Sequence, residues 1–102
     1  MRNDVLVSIC CLTYNHFAYL RKAFDGFLSQ QLNFQIEIIV HDDASIDGTQ
    51  EIIEEYKKKH PGLFRSFLQD SNLYSNGCSI YQIYTQYILP YANGKYIAIC
   101  EG

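Results

Sequence analysis

The chain has 102 residues, of which 48% are hydrophobic and 19% are charged, and its formal net charge is −3. This length fits one small domain, and the composition is typical of a globular protein rather than a disordered one. The acidic balance disfavours a nucleic-acid-binding protein, because such proteins usually carry a basic excess. No apolar run approaches the roughly 20 residues of a transmembrane helix, and no signal-peptide pattern opens the chain, so we expect neither membrane insertion nor secretion.

The first half of the chain predicts two strands and two helices. Residues 4–15 are almost continuously apolar, which predicts a strand buried on both faces. A helix should follow over 15–31 with Asn15 as its N-cap, and its apolar face recurs at helical spacing: Phe17, Leu20, Phe24, Phe27 and Leu28. A second buried strand is predicted at 34–43 and a second helix at 47–60, where Asp47 and Gln50 resemble a capping box.

The second half continues the alternation. A third strand is predicted at 63–70 and a third helix at 78–92, with Pro90 ending the helix. Asn93 and Gly94 turn the chain into a fourth strand at 95–100. The order β-α-β-α-β-α-β predicts an α/β fold with a mostly parallel sheet and helices on both faces. Ligands of such sheets bind beyond the carboxyl ends of the strands.

The four cysteines are Cys10, Cys11, Cys78 and Cys100, and none forms a CxxC pair. This spacing argues against a zinc knuckle. We therefore expect buried free thiols in a reducing cytoplasm. Cys10 and Cys11 are neighbours in a predicted strand, so their side chains should point to opposite faces of the sheet.

Polar side chains cluster where the first two strands end. Thr13, Tyr14 and Asn15 end the first strand, and Asp42 and Asp43 end the second. The chain contains neither GxGxxG nor GxxxxGK[ST], so a site built around a phosphate is not expected. A carboxylate only accepts hydrogen bonds, so it suits the N3–H of uracil or the imino and amino edge of guanine. An aromatic ring beside it offers a flat face for a base or ribose.

Other interpretations of these residues stay open. One aspartate can read a ligand while the other accepts backbone amides, with Ser45, Asp47 and Thr49 supplying local hydrogen bonds. Both aspartates can equally serve only to form the loop and cap the next helix, and Tyr14 can be a packed aromatic. We expect His16 to face solvent.

The motifs at these strand ends resemble those of family 2 glycosyltransferases of the GT-A fold. The strand "VSICCLTYN" at 7–15 resembles V-S-[IV]-x-x-[PL]-T-Y-N, with Leu12 in place of the commoner proline. The segment "DDASIDGT" at 42–49 matches D-D-x-S-x-D-x-T without a break, and "GKYIAICEG" at 94–102 resembles the approach to a third signature. The resemblance covers essentially the whole chain and implies a three-layer Rossmann-like sheet in the order 3-2-1-4.

The resemblance also implies a site. Thr13 and Tyr14 would line a base and ribose pocket, Asp43 would accept from the base edge, and Asp42 would brace the loop or share that role. Together with Asn15 and Ser45 these residues form the predicted nucleotide-binding set, and no catalytic residue is assigned. Asn76 and Gly77 fall near the expected sugar nucleotide, on weaker grounds.

The resemblance implies a divalent metal, Mg²⁺ or Mn²⁺, that stabilises the leaving diphosphate. Its aspartates would follow the fourth strand and so lie beyond Gly102, and Glu101 is a poor substitute for a pair. We therefore expect the metal in a longer parent enzyme and none bound to this chain. The catalytic base would also lie beyond the chain end.

The whole chain, 1–102, is interpreted as the N-terminal nucleotide-sugar-binding part of a glycosyltransferase. The parent enzyme would move a sugar from a nucleotide donor to an acceptor hydroxyl with inversion, in polysaccharide biosynthesis. UDP is the expected nucleotide, with GDP and dTDP as alternatives. This fragment should bind weakly and catalyse nothing.

Two alternatives come from other classes: a stand-alone binding or interaction module, and a receiver-like domain. The second is disfavoured because receiver domains place paired acids after the first strand. We expect a cytoplasmic location, with the parent protein at the inner face of the membrane. The partners would be the sugar donor and a glycan acceptor. The fourth strand should leave a sheet edge through which the chain self-associates.

Overall fold

A computed structural model describes residues 5–29 and 35–101. Its strands are β1 (Val5–Thr13), β2 (Gln35–Asp42), β3 (Phe64–Leu68) and β4 (Tyr96–Glu101). They form one parallel sheet in the order β3-β2-β1-β4, which confirms the predicted fold class and strand order. The predicted helix end at 31 and the strand starts at 4 and 34 lie outside the described residues.

The helices are α1 (Phe17–Ser29), α2 (Thr49–Lys59) and α3 (Ile80–Ile83). The chain leaves α3 without a break into a π-helical turn, Tyr84–Ile88, and then a 3-10 turn, Leu89–Tyr91. The helix predicted over 78–92 is therefore helical over most of its length but changes type twice. Pro90 lies in the last turn, where its missing amide hydrogen removes a bond that an α-helix would need.

The core consists of two clusters, one on each face of the sheet. One face of the sheet, which includes Cys11 of β1, is covered by α1 and α2 through Leu20, Phe24, Ile52 and Ile53. The other face is covered by α3 and the π-helical turn that follows it. Their residues Ile83, Tyr84 and Ile88 pack against Cys10 and Ile39. The prediction that Cys10 and Cys11 face opposite sides is confirmed, and all four cysteines are free thiols.

The predicted cap of α1 is wrong. The helix begins at Phe17, and the Phe17 N–H donates to Asp47 Oδ2 at 3.1 Å. Asn15 lies before the helix in a left-handed conformation, and its Oδ1 accepts from the Ile46 N–H at 3.0 Å. The N-terminus of α1 is thus held by a loop about 30 residues away in sequence. Phe17 is also 49% exposed, so it does not join the apolar core face predicted for α1.

The capping box predicted from Asp47 and Gln50 is also wrong. Gly48, in a left-handed conformation, is the N-cap residue of α2, and it makes no side-chain cap bond. Asp47 Oδ1 instead accepts from the amide and the hydroxyl of Thr49, and Gln50 reaches back to β2. The capping box that does occur joins Ser79 and Gln82 at the start of α3.

A buried carboxylate fixes the turn into β4. Glu37 Oε2 accepts from the Ser8 hydroxyl at 2.5 Å and from the Asn93 N–H at 2.6 Å. The Gly94 N–H donates to Ser8 Oγ at 2.8 Å, and a Cβ on Gly94 would lie 2.5 Å from the Ser8 nitrogen. The predicted Asn93-Gly94 turn is therefore present, and close backbone approach requires its glycine. Burial, with a smaller contribution from Glu37, raises the pKa of the nearby Cys10 thiol to about 11.

Within the part of the chain that the structure describes, no helix has the length and apolar character needed to cross a bilayer.

Candidate functional site

The two strands that carry the polar motifs end side by side. Thr13 is the register partner of Asp42, and the Asp43 N–H donates to the Thr13 carbonyl at 3.0 Å. Thr13, Asp42 and Asp43 are all buried, at 1%, 0% and 3% exposure. The parallel sheet therefore places both aspartates at its carboxyl edge, beside the end of β1.

Asp42 is a hydrogen-bonding hub. Its Oδ1 accepts from the Thr13 hydroxyl at 2.7 Å and from the Ser45 hydroxyl at 2.5 Å. Its Oδ2 accepts from the Ser45 N–H and from Gln50 Nε2, both at 2.8 Å. A carboxylate offers about four acceptor positions, so these four donors use the capacity of Asp42. Asp42 thereby connects β1, the loop after β2, and α2.

The loops after β1 and β2 bind each other directly. The Asn15 N–H donates to Ser45 Oγ at 2.7 Å, and the Ile46 N–H donates to Asn15 Oδ1 in the other direction. Asn15 and Ala44 both adopt left-handed backbone conformations, with φ of 54° and 63°. Asn tolerates this region, whereas Ala44 is strained there by about 1–2 kcal/mol. The bonds to Asp42 and Asn15 hold this conformation in place.

A cavity of about 400 Å³ opens at the same edge. It is lined by Leu12, Thr13, Tyr14, His16, Asp43, Asn72, Tyr74, Ser75, Ile80 and Ile83. Tyr14 and Tyr74 are 47% and 61% exposed, so both present aromatic surface. None of these described lining residues is Lys or Arg. The cavity is thus largely apolar and aromatic, with one carboxylate in its wall, which is the usual character of a small-molecule site.

Asp43 contributes to the cavity wall and also holds the loop after β3. Its Oδ1 accepts from the Leu73 N–H at 2.6 Å, and its Oδ2 accepts from the Tyr74 N–H at 3.1 Å. Asn72 Nδ2 donates to the Asp43 carbonyl at 3.0 Å. The two amides use about half of the acceptor capacity of the carboxylate, which leaves positions for a ligand donor.

The six predicted nucleotide-binding residues lie together at this edge but in two groups. Thr13, Tyr14 and Asp43 line the cavity. Asn15, Asp42 and Ser45 are not among the lining residues and instead bind the loops to one another. The bracing interpretation of Asp42 agrees with its four bonds. The nucleotide-binding role of the set stays a prediction. Asn76 and Gly77 are exposed and are not among the lining residues.

Sequence reasoning missed His16 and the loop residues Asn72, Tyr74 and Ser75. His16 was expected to face solvent, yet it is half-buried and lines the cavity. The loop follows β3, whose carboxyl end opens at the same edge as those of β1 and β2. The position of this loop at the shared carboxyl edge was the signal that could have predicted its contact with the cavity.

Burial and local hydrogen bonds shift two pKa values beside the site. Burial lowers the pKa of His41, and the neighbouring carboxylates of Asp43 and Asp42 act in the opposite direction. The bond from the Thr49 hydroxyl, chiefly, lowers the pKa of the Asp47 carboxyl. We therefore treat His41 as neutral and Asp47 as charged at pH 7.

The residues described at 5–29 and 35–101 contain no group of three or more His, Cys, Asp or Glu side chains placed to hold a metal ion. The divalent metal that the sequence resemblance implies does not fit this part of the molecule.

Comparison with known proteins gives one family and several relatives. The sequence model of the family described as "Glycosyl transferase family 2" matches residues 8–79, which include both aspartates and the loop after β3. An uncharacterized protein of Mycobacterium tuberculosis is 40% identical over 96 residues, 94% of this chain and 26% of that protein.

Two relatives carry functional names. An abequosyltransferase of Salmonella typhimurium is 37% identical over 57 residues, which are 55% of this chain and 17% of that protein. A processive diacylglycerol beta-glycosyltransferase of Mycoplasma genitalium is 38% identical over 60 residues, which are 59% of this chain and 17% of that protein. The chain thus spans about a quarter or less of the length of these relatives.

The Asp42 hub predicts a large loss of stability on substitution. In Asp42→Asn, an amide group replaces one acceptor oxygen and faces hydrogen-bond donors. We expect the free energy of unfolding to fall by roughly 1.5–3 kcal/mol, the value of a charge-assisted hydrogen bond. Urea denaturation measures it, and Asp70→Asn, at an exposed position, is the matched control. Equal stability of the two variants would show that the hub does not hold the edge together.

Proposed function

The chain belongs to glycosyl transferase family 2, and we propose that it forms the part of a glycosyltransferase that binds the nucleotide-sugar donor. The parent enzyme would pass the sugar from the nucleotide to an acceptor hydroxyl with inversion. By this proposal residues 1–102 act as one donor-binding domain, and the chain alone binds nucleotide weakly and does not catalyse transfer.

The observation that carries the proposal is the cavity at the carboxyl edge, which both Tyr14 and Asp43 line. Tyr14 is 47% exposed, which leaves ring surface for a base to stack on. Stacking of a base on an aromatic side chain contributes about 1–3 kcal/mol. Asp43 lines the same cavity and supplies a carboxylate that can accept a hydrogen bond from the base edge.

The chemistry of Asp43 favours a base with a ring N–H, such as uracil, over cytosine. A carboxylate has no donor, so it pairs with the N3–H of uracil, whereas it meets an acceptor at N3 of cytosine and can use only the cytosine amino group. The positions left free by the Leu73 and Tyr74 amides are available for that bond. We therefore propose a UDP-sugar as the donor.

The diphosphate would gain little from this part of the molecule. None of the described cavity-lining residues carries a positive charge, and the buried Asp43 carboxylate would repel an anion. Recognition by the chain should therefore rest on the nucleoside half of the donor. This supports weak binding of UDP by the chain.

One relative is named an abequosyltransferase and another a processive diacylglycerol beta-glycosyltransferase. We propose that the parent enzyme acts in polysaccharide biosynthesis on the cytoplasmic side of the membrane.

A comparison of UDP with CDP tests the role of Asp43. We expect UDP to bind the chain more tightly than CDP in an NMR titration. Asp43→Ala should lower UDP affinity about tenfold or more, the value of one charge-assisted hydrogen bond, and should remove the preference for UDP over CDP. Among the molecules that stay folded, Asp42→Ala should have a smaller effect on affinity, because Asp42 does not line the cavity.

The ratio of the UDP and CDP affinities shows whether Asp43 contacts the base or only holds the loop after β3. A structural defect in Asp43→Ala would weaken UDP and CDP equally and leave their ratio unchanged, and that result would assign Asp43 to the loop alone. Asp70→Ala, at an exposed position after β3, is the control. Absence of UDP binding to the unmodified chain at millimolar nucleotide would contradict the proposed function itself.

We also propose that the chain self-associates through β4. This strand lies at one edge of the sheet, and its Tyr96, Ile97 and Ile99 side chains are 57%, 43% and 59% exposed. Apolar edge strands pair readily with another chain because their backbone groups are unsatisfied.

Sedimentation velocity over a concentration series tests the proposed edge contact. The average mass should rise with concentration, and Ile99→Lys should keep the chain monomeric because a charge would be buried in the contact. Tyr19→Lys is the control, since Tyr19 lies on α1 and is 69% exposed. A chain that stays monomeric at high micromolar concentration would refute this proposal.

A further inference from the structure

His16 directly precedes α1 and is fixed at two points. Its ring Nδ1 accepts from the Tyr14 N–H at 2.9 Å, and its own backbone N–H donates to Thr49 Oγ1 at 3.0 Å. The ring lines the cavity next to Tyr14. The position of the imidazole is thus set by the same loop that presents the aromatic ring.

The hydrogen bond at Nδ1 determines the tautomer. Because Nδ1 accepts from an amide, a neutral His16 must carry its proton on Nε2. A flipped ring would place a C–H against the Tyr14 amide and lose this bond, so the ring orientation is also determined. Among the residues that the structure describes, none accepts a hydrogen bond from His16 Nε2. The site therefore contains an oriented N–H donor without a protein acceptor.

The surroundings favour an uncharged acceptor for this donor. The positive end of α1 is already engaged, because the Phe17 N–H donates to the Asp47 carboxylate. Asp43 is a further carboxylate, and it lines the cavity itself. A diphosphate placed at His16 would meet these negative charges with no described Lys or Arg in the lining.

We propose that His16 is a specificity-determining residue that donates its Nε2–H to a neutral oxygen of the nucleoside, either a pyrimidine carbonyl or a ribose hydroxyl. The inference rests on the proposed function, since it assigns a further contact in the same cavity. His16 and Asp43 then supply opposite hydrogen-bonding characters, one donor and one acceptor, beside the aromatic ring of Tyr14.

Two substitutions of His16 test the contributions of its two ring nitrogens separately. In His16→Asn the side-chain oxygen can replace Nδ1 and accept from the Tyr14 amide, but the Nε2 donor is lost. In His16→Gln the side-chain amide can reach the position of Nε2 and donate, but the acceptor for Tyr14 is lost. If His16 only holds the loop, the Asn variant binds like the unmodified chain and the Gln variant is weakened.

We expect the opposite pattern in NMR titrations of the 102-residue chain. His16→Asn should weaken UDP binding by about threefold to tenfold, the value of one neutral hydrogen bond, and His16→Gln should bind more tightly than His16→Asn. Amide spectra and thermal unfolding of both variants verify that the fold is retained. An Asn variant that binds UDP like the unmodified chain would overturn the proposal.

Binding of uridine, which lacks the diphosphate, shows whether His16 contacts the nucleoside or the diphosphate of UDP. If the acceptor is a nucleoside oxygen, His16→Asn weakens uridine and UDP by the same factor. Weakening of UDP without weakening of uridine would move the acceptor to the diphosphate and overturn the proposal as stated. Binding of UDP to the unmodified chain is measured in the same series, so failure of the proposed function would be visible independently of either variant.

Discussion

The carboxyl edge of the sheet depends on the buried carboxylate of Asp42. Four donors converge on it, from the end of β1, from the loop after β2 and from α2. A buried charge is stable only when its acceptor positions are filled, so these bonds are required for the fold as well as for the site. By fixing Ser45 and Thr13, Asp42 determines the relative position of the two loops that carry the other site residues.

Adjacent aspartates that would repel each other therefore have separate tasks. Asp42 faces the interior of the loop network, whereas Asp43 faces the cavity and the amides of Leu73 and Tyr74. Asp43 links the loop after β3 to the cavity, because its two oxygens accept from the Leu73 and Tyr74 amides and the residue lines the cavity. A ligand donor that competes for these oxygens would loosen the loop, and one that uses the remaining positions would leave the loop in place.

The sequence predicted most of the fold, because buried parallel strands and amphipathic helices leave strong local patterns. The alternation of elements, the strand order implied by the family resemblance and the opposite faces of Cys10 and Cys11 are confirmed. The caps of α1 and α2 were not predictable from local signals. Asn15 and Asp47 are good local cap residues, but each binds a partner about 30 residues away.

The site was predicted in part for the same reason. Strand ends placed Thr13, Tyr14 and Asp43 correctly at one cavity. His16 and Tyr74 were missed because their place in the cavity depends on bonds to the backbone of Tyr14 and to the side chain of Asp43. Such bonds form only after the loops have been brought together, and the sequence spacing alone carries no sign of them. The change from α to π helix after Ile83 is likewise invisible in the sequence pattern.

The most direct measurement of the central claim is an experimental structure of the chain with UDP bound. The account predicts that the uracil ring lies in the cavity against Tyr14, with its N3–H within hydrogen-bonding distance of the Asp43 carboxylate. It also predicts that Asp42 keeps its four protein partners and makes no contact with the nucleotide. A nucleotide bound elsewhere on the chain, or a base that lies in this cavity without contacting Asp43, would contradict the account.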